Sequence, residues 1–273
     1  MKKTFQEYYS LSPEEEGELW KEAIFVFDAN VLLNLYQYSE KTRKEFLGIL
    51  DKISNRIWLP YQFALEYQKK RSIVIERQFD FYAHVSNKLH KGFEDTSKEI
   101  KEYQNQHPFL KIDRLLSKIE KIVKEVNKAV GICKRKHPKW LEHDPIRDKL
   151  DQLFQGKVGV QCANIEEIER VGNMRISKKI PPGHEDVKKD YPYGDWIGWY
   201  QIMEMIKGLN EKKPVILITN DCKKDWWLMH KDKKTIIGPR PELINEISTY
   251  AVKFPMYTME RFLYIAKRIY KVQ

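Results

Sequence analysis

The sequence predicts an α/β protein: a central parallel sheet flanked by helices, with a mostly helical insertion. Three observations support this. Two apolar, β-rich runs end abruptly in carboxylates, at Phe25-Val26-Phe27-Asp28-Ala29-Asn30 and at Ile216-Leu217-Ile218-Thr219-Asn220-Asp221. Segments with helical spacing alternate with these short runs, as in a parallel sheet joined by crossover helices. Between the two runs lies a long stretch rich in Lys, Glu and Gln, with no run that reads as a buried strand.

The elements follow in order. Ser12-Pro13-Glu14-Glu15 reads as a helix start, with Ser12 as N-cap, Pro13 at the first helical position and Glu15 reaching back. That helix runs to about Lys21, and the first strand follows from Ala23 to Phe27. Val31 to Tyr36 opens a helix after Asp28, and Ser39 to Leu50 forms a second. Arg56 to Pro60 is a short strand stopped by its proline. Gln62 to about Phe81 is helical and carries Glu66 in its first turns. Further on, Ile165-Glu166-Glu167-Ile168-Glu169 lies in an acidic helix spanning about Asn164 to Val171. Lys178 to Asp186 is a loop stiffened by Pro181 and Pro182 and turned by Gly183. Gly194-Asp195-Trp196 opens a helix running to about Gly208, and Val215 to Thr219 is the second buried strand. The segment after Asp221 has helical character. Pro241 to Tyr250 and Thr258 to Tyr270 are helices around a short strand at Lys253 to Tyr257.

The middle stretch changes character from about Phe79 to Lys157. Ile112, Leu115, Leu116, Ile119 and Ile122 keep helical spacing there. From His84 to Lys157 there are 17 Lys and Arg against 11 Asp and Glu, so the stretch supplies +6 of the chain's +10. A solvated helical hairpin and a basic arm along a polyanion are the two readings of that charge. The expected division is a domain at 1–81 and 173–273, with an insertion at 82–172.

Bulk properties narrow the function. No run of about twenty apolar residues exists, which excludes a membrane-spanning helix. The opening Met1-Lys2-Lys3-Thr4-Phe5-Gln6 lacks the apolar core of a signal peptide. Cys133, Cys162 and Cys222 are too few and too scattered for a disulfide framework or a zinc site, which points to a reducing cytoplasm. A pI near 9.2 is compatible with a polyanionic partner such as nucleic acid.

Asp28, Glu66, Asp195, Asp221 and Asp225 form the candidate site. In an open parallel sheet the carboxyl ends of the strands form the ligand crevice, so Asp28 and Asp221 should converge. Glu66 and Asp195 sit in the first turns of helices. Asp225 follows Asp221 by four residues, so both face one cavity if that segment is helical. Hard oxygen donors suit Mg²⁺ or Mn²⁺. Two such ions about 4 Å apart can clamp an in-line phosphoryl displacement. Each residue also has a plainer reading: Asp28 and Asp195 as helix caps, Glu66 as a surface residue and Asp225 as part of a solvated turn. The seven histidines show no paired metal-binding spacing and fall mostly on surfaces or loops, and Walker A, GxGxxG and nucleophile-elbow motifs are absent. Trp226 and Trp227 read as core packing rather than base-stacking platforms.

In order, these pieces are an apolar strand with Asp28-Ala29-Asn30, Glu66 in a helix, Gly194-Asp195-Trp196-Ile197, and Thr219-Asn220-Asp221-Cys222-Lys223-Lys224-Asp225-Trp226. That order resembles the PIN-like domain nucleases, in particular a bacterial variety with a long helical insertion. The resemblance covers about residues 22–81 and 175–265. The loop Pro181-Pro182-Gly183-His184-Glu185-Asp186 is also similar, although the role of Asp186 is open.

The resemblance implies a metal-dependent endonuclease that cleaves RNA phosphodiesters with a metal-activated water and no covalent intermediate. Asp28, Glu66, Asp195 and Asp221 match the acidic quartet, Asp225 an auxiliary metal ligand, and Asn30 and Asn220 accompanying polar positions. Lys69, Lys70, Arg71, Lys188 and Lys189 are candidate phosphate contacts. RNA is favoured over DNA, the insertion is a candidate protein-binding surface, and a role as a bacterial toxin or antiviral defence effector follows from the resemblance. The alternatives are a structure-specific DNA nuclease and an inactive nucleic-acid- or protein-binding scaffold. Retention of all four acidic positions argues against the scaffold.

Overall fold

The boundaries of the first helix are written in its ends. In the computed structural model, which describes residues 1, 5–9, 11–104, 106, 109–232, 235–251 and 253–270, α1 (Pro13–Glu22) starts with a closed capping box. Ser12 Oγ accepts from the Glu15 amide, and the Glu15 carboxylate accepts from the Ser12 amide at 2.8 Å. β1 (Ile24–Phe27) follows, then α2 (Ala29–Leu33), a 3₁₀ turn at Asn34–Tyr36 and α3 (Glu40–Lys52). β2 (Ile57–Trp58) leads past Pro60 into α4 (Tyr61–Lys101), 41 residues long. α5 (Ile112–Lys136), α6 (Pro145–Phe154), α7 (Ile165–Ser177) and α8 (Gly194–Lys207) precede β3 (Val215–Ile218). β4 (Trp227–Met229), β5 (Ile236–Pro239), α9 (Pro241–Ser248), β6 (Met256–Tyr257) and α10 (Met259–Tyr270) complete the chain.

The α/β expectation holds: four strands form one parallel sheet in the order β2-β1-β3-β6. The chain leaves β1 for β2 on one side and returns to β3 on the other. The switch in strand order therefore falls at β1, and the crevice outside the carboxyl ends is where such sheets bind ligands. Phe27 pairs with Ile218, and the Asp28 amide donates to the Ile218 carbonyl at 2.9 Å. Register alone thus sets Asp28 beside Thr219. Both central strands are buried on both faces, which explains their unbroken apolar runs.

The core on one face is aromatic. Trp20 stacks on Phe262 at 5.4 Å between ring centroids, and Phe262 meets Phe25, Phe27 and Phe46 edge-on. Such edge-to-face contacts add about 0.5–1.5 kcal/mol each beyond area burial. Phe154 of α6 packs edge-on against Phe27. Residues 157–159 also join the sheet edge, since the Leu59 amide donates to the Lys157 carbonyl at 3.0 Å and the Gly159 amide to the Leu59 carbonyl at 2.9 Å.

The chain divides into two compact units, Met1–Lys70 with Ile146–Gln273, and Arg71–Pro145. The expected limits, 1–81 and 173–273 around 82–172, do not coincide with them. Residues 146–172 supply core and edge contacts to the sheet-bearing unit, while α4 runs through residue 81 without a break. No proline follows Pro60 until Pro108, and the intervening Lys, Glu and Gln favour helix, so nothing in the sequence stops it. Within the smaller unit, His137 is enclosed by Phe79 at 4.7 Å and Trp140 at 5.2 Å, and its Nδ1 bonds to the Tyr82 hydroxyl at 2.9 Å. This histidine lies half-buried in the bend after α5, as the loop reading expects, and burial pushes its pKa down. His107 lies outside the described residues.

A second departure follows Asp221. No helix is present there; the chain turns and enters the antiparallel hairpin of β4 and β5.

Candidate active site

Asp28 closes β1 and caps α2, its Oδ1 accepting weakly from the Asn30 amide at 3.4 Å. The cap reading and the site reading are therefore both true of one residue. Its Oδ2 accepts from the Thr219 hydroxyl at 2.6 Å and from Asn30 Nδ2 at 2.5 Å. Asn30 Oδ1 in turn accepts from the Asn220 amide at 2.9 Å, which ties the ends of β1 and β3 together. Asn220 is braced on its far side, with Nδ2 donating to the Tyr38 hydroxyl at 3.0 Å and Oδ1 accepting from the Met259 amide at 2.8 Å. Asn30 and Asn220 thus orient the strand ends, and Thr219, fully buried, does the same for Asp28.

Glu66 arrives from the first turns of α4. Gln62 Nε2 donates to its Oε1 at 3.3 Å, and Lys70 Nζ contacts Oε2 at 2.5 Å. Asp195 sits at the second position of α8, where a carboxylate is favoured by the helix dipole. Its Oδ2 accepts from the Trp226 indole N–H at 3.2 Å. Asp221 accepts from the Lys223 amide at 2.9 Å through Oδ1. Trp226 and Trp227 are buried, as expected of core tryptophans. Trp227 donates its indole N–H to the Asp221 carbonyl at 2.5 Å, so both rings also orient acidic residues.

Lys223 stands among three carboxylates. Its Nζ lies 2.6 Å from Asp195 Oδ2, 2.8 Å from Asp221 Oδ2 and 2.9 Å from Asp186 Oδ1. Asp186, whose role the sequence left open, is buried and also held by Lys189 at 2.5 Å. Sequence reasoning did not single out Lys223. Its only local signal is the pairing of a strand-end Asp with a Lys two residues on, which is common in surface turns.

The protonation equilibria report the same proximity. Burial pushes the Asp28 carboxyl up to about 7; the Thr219 hydrogen bond opposes this, and the charges of Asp195, Glu66 and Asp221 add to it. Asp195 is raised to about 6, chiefly by burial, with Lys223 pulling it down and Asp186 and Asp221 pushing it up. For Asp186 burial is outweighed by Lys189 and Lys223, which hold its carboxyl below the usual range. Lys223 is raised: burial disfavours its charge, but Asp195 and Asp221 dominate. Lys70 is raised likewise by Glu66 against burial.

Asp225 does not stand where the helix-face argument placed it. It is wholly buried, and its Oδ2 accepts from the backbone amides of Gly183 at 2.8 Å and Glu185 at 3.2 Å. It anchors the loop that delivers Asp186, and Gly183 meets it with φ of 95°, a left-handed backbone natural to glycine. Among the candidate phosphate contacts, Lys69 and Lys188 are exposed, while Lys70 and Lys189 are engaged with Glu66 and Asp186. Arg71 is a correction: its guanidinium pairs with Asp144 at 2.5 Å with little of either side chain exposed, so it is not presented to a ligand.

Among the described residues, no group of three His, Cys, Asp or Glu side chains already stands in a metal-holding arrangement. The donor chemistry nonetheless fits a hard cation. The charges of Asp195, Glu66 and Asp221 raise the proton affinity of Asp28, and those of Asp186 and Asp221 raise that of Asp195, so negative charge is under-compensated there, and hard divalent ions prefer such oxygens.

A family model described as a PIN-like domain matches residues 24–243. No curated protein and no solved structure matches the chain significantly.

Proposed function

Because the chain belongs to the PIN-like domain family, we propose that it is a metal-dependent endonuclease hydrolysing RNA phosphodiester bonds. The observation that carries this reading is the convergence of Asp28, Glu66, Asp195 and Asp221 outside the carboxyl ends of β1 and β3. These four residues hold Mg²⁺ or Mn²⁺, which when bound supplies Lewis-acid assistance to phosphodiester hydrolysis. Thr219 and Asn30 orient Asp28, Trp226 orients Asp195, and Asn220 locks the two strand ends in register. Asp225 acts by holding the loop of Asp186 through backbone amides, rather than by direct ligation. Exposed Lys69 and Lys188 attract the phosphate backbone to the rim.

No helix among the described residues is long and apolar enough to cross a membrane. A toxin or defence role is consistent with an RNA-cutting activity and rests on the family resemblance alone.

Parallel degradation of single-stranded RNA, single-stranded DNA and flap DNA with Mn²⁺ tests the reading. Metal-dependent cleavage of RNA, lost in Asp28→Asn and Asp221→Asn, is the expected result. Cleavage confined to DNA would replace RNA by DNA as substrate, and activity unchanged in both variants would sink the assigned site.

A further inference from the structure

The pocket already contains a cation of its own. An ammonium group has three N–H donors, and all three of Lys223 are matched by carboxylate oxygens of Asp195, Asp221 and Asp186 at 2.6–2.9 Å. Its backbone amide is tied to Asp221 as well, and its side chain is only 26% exposed. Lys223 is therefore held at both ends, and moving it out would leave three buried or half-buried carboxylates facing one another.

The charges divide the pocket. On one side Asp186, Asp195 and Asp221 surround Lys223, with Lys189 also on Asp186. On the other side the side-chain hydrogen bonds that Asp28 accepts come from the neutral donors Thr219 and Asn30, and the charges it feels are those of its acidic neighbours and, from beside Glu66, of Lys70. Glu66 has Lys70. Five carboxylates against three ammonium groups leave two negative charges, the charge of one divalent ion. A pocket that took two such ions would carry two positive charges in excess, and expelling Lys223 would remove only one of them.

We propose, on the basis of the nuclease reading above, that Lys223 permanently occupies the place of a second cation, so that the site binds one divalent ion, on the Asp28 side. Lys223 is then a positioning residue: it holds Asp195 and Asp221 together and keeps Asp186 turned toward them. Asp186 is a member of the site through Lys223 rather than through the ion.

Counting Mn²⁺ bound to the full chain, by electron paramagnetic resonance of free Mn²⁺ and by calorimetry, tests this. The expected stoichiometry is one per chain in the wild type and in Lys223→Arg, rising to two in Lys223→Met with its circular dichroism unchanged. Two ions or none in the wild type, or one in a folded Lys223→Met, overturns it. Should Lys223→Met not fold, Lys223→Gln takes its place under the same criteria, and the wild-type count still decides between one and two. Cleavage is scored separately. A chain that binds one Mn²⁺ but cuts no nucleic acid refutes the nuclease reading and leaves this inference standing, while a chain that cuts RNA with two bound ions does the reverse.

Discussion

Asp28 carries the least compensated charge in the pocket, and that has a consequence for stability. Its carboxyl is raised to about 7 by burial first and by Asp195, Glu66 and Asp221 after it, against an ordinary value of 3.8. In metal-free protein the folded state therefore keeps a proton between about pH 4 and pH 7 that the unfolded chain has lost. Stability falls as pH rises through that window, because the folded state binds more protons there. Asp195, raised to about 6, adds to the slope up to its own titration. A shift of three units corresponds to about 4 kcal/mol, but Asp28 is only half-buried, so about 2 kcal/mol is the better expectation. Asp28→Asn removes the charge and should raise metal-free stability by about that amount at pH 8, with no gain at pH 4, in urea melts at both values. An equal effect at the two pH values would show that the charge is already neutralised. Asp28 and Asp221 were legible because a carboxylate at the end of a buried strand costs desolvation that a cap or a ligand site must offset. Lys223 was not legible, since a lysine in a charged turn looks the same whether it faces water or three carboxylates.

At the scale of elements, the site depends on how closely α8 approaches α4. The Gln62 amide donates to Gln201 Oε1 at 2.9 Å, joining the two helices. Two glycines on α8 permit the approach. A Cβ on Gly198 would stand 2.2 Å from Cε1 of buried Phe63, while one on Gly194 would stand 2.7 Å from Glu66 Oε1. These contacts differ in what can yield. Phe63 is enclosed, so Gly198→Ala should cost about 1–3 kcal/mol by overpacking. Glu66 is the end of a flexible side chain, so Gly194→Ala should cost less than about 0.5 kcal/mol. It should nonetheless displace Glu66 and weaken Mn²⁺ binding. Chemical denaturation and calorimetric Mn²⁺ titration separate the two; equal losses of stability would refute the distinction. The sequence located these helices because Pro60 and Gly194 punctuate their starts. It missed the hairpin of β4 and β5, because Trp227-Leu228-Met229 is too short a run to show a two-residue period. It ended α4 twenty residues early, because a change of composition near residue 81 was read as a change of element.

At the scale of the whole molecule, positive charge is spread over both units, while five carboxylates gather at one crevice. Residues 71–145 hold 16 Lys and Arg against 11 Asp and Glu, which is half of the net +10. The central sheet was readable from two buried runs, but the limits of the smaller unit were not, since a continuous helix carries no boundary in its pattern and residues 146–172 return to the sheet through contacts distant in sequence. Two roles for the smaller unit, lying along a polyanion or binding a protein, make different demands on its charge. Lys118, Lys121 and Lys128 are exposed on α5, where neutralising them should leave the fold intact. If α5 lies along single-stranded RNA, each lost phosphate contact removes about 0.7 from the slope of log K against log salt. The Lys118→Gln, Lys121→Gln, Lys128→Gln triple variant should then flatten that slope by about 2, with Mn²⁺ binding at the crevice unchanged. Fluorescence anisotropy with a labelled RNA from 50 to about 300 mM salt, bracketing the range in which such contacts lose most of their strength, gives the slope. An unaltered slope removes α5 from the nucleic-acid path and leaves the exposed lysines Lys69 and Lys188, near Glu66 and Asp186 in sequence, to gather the substrate.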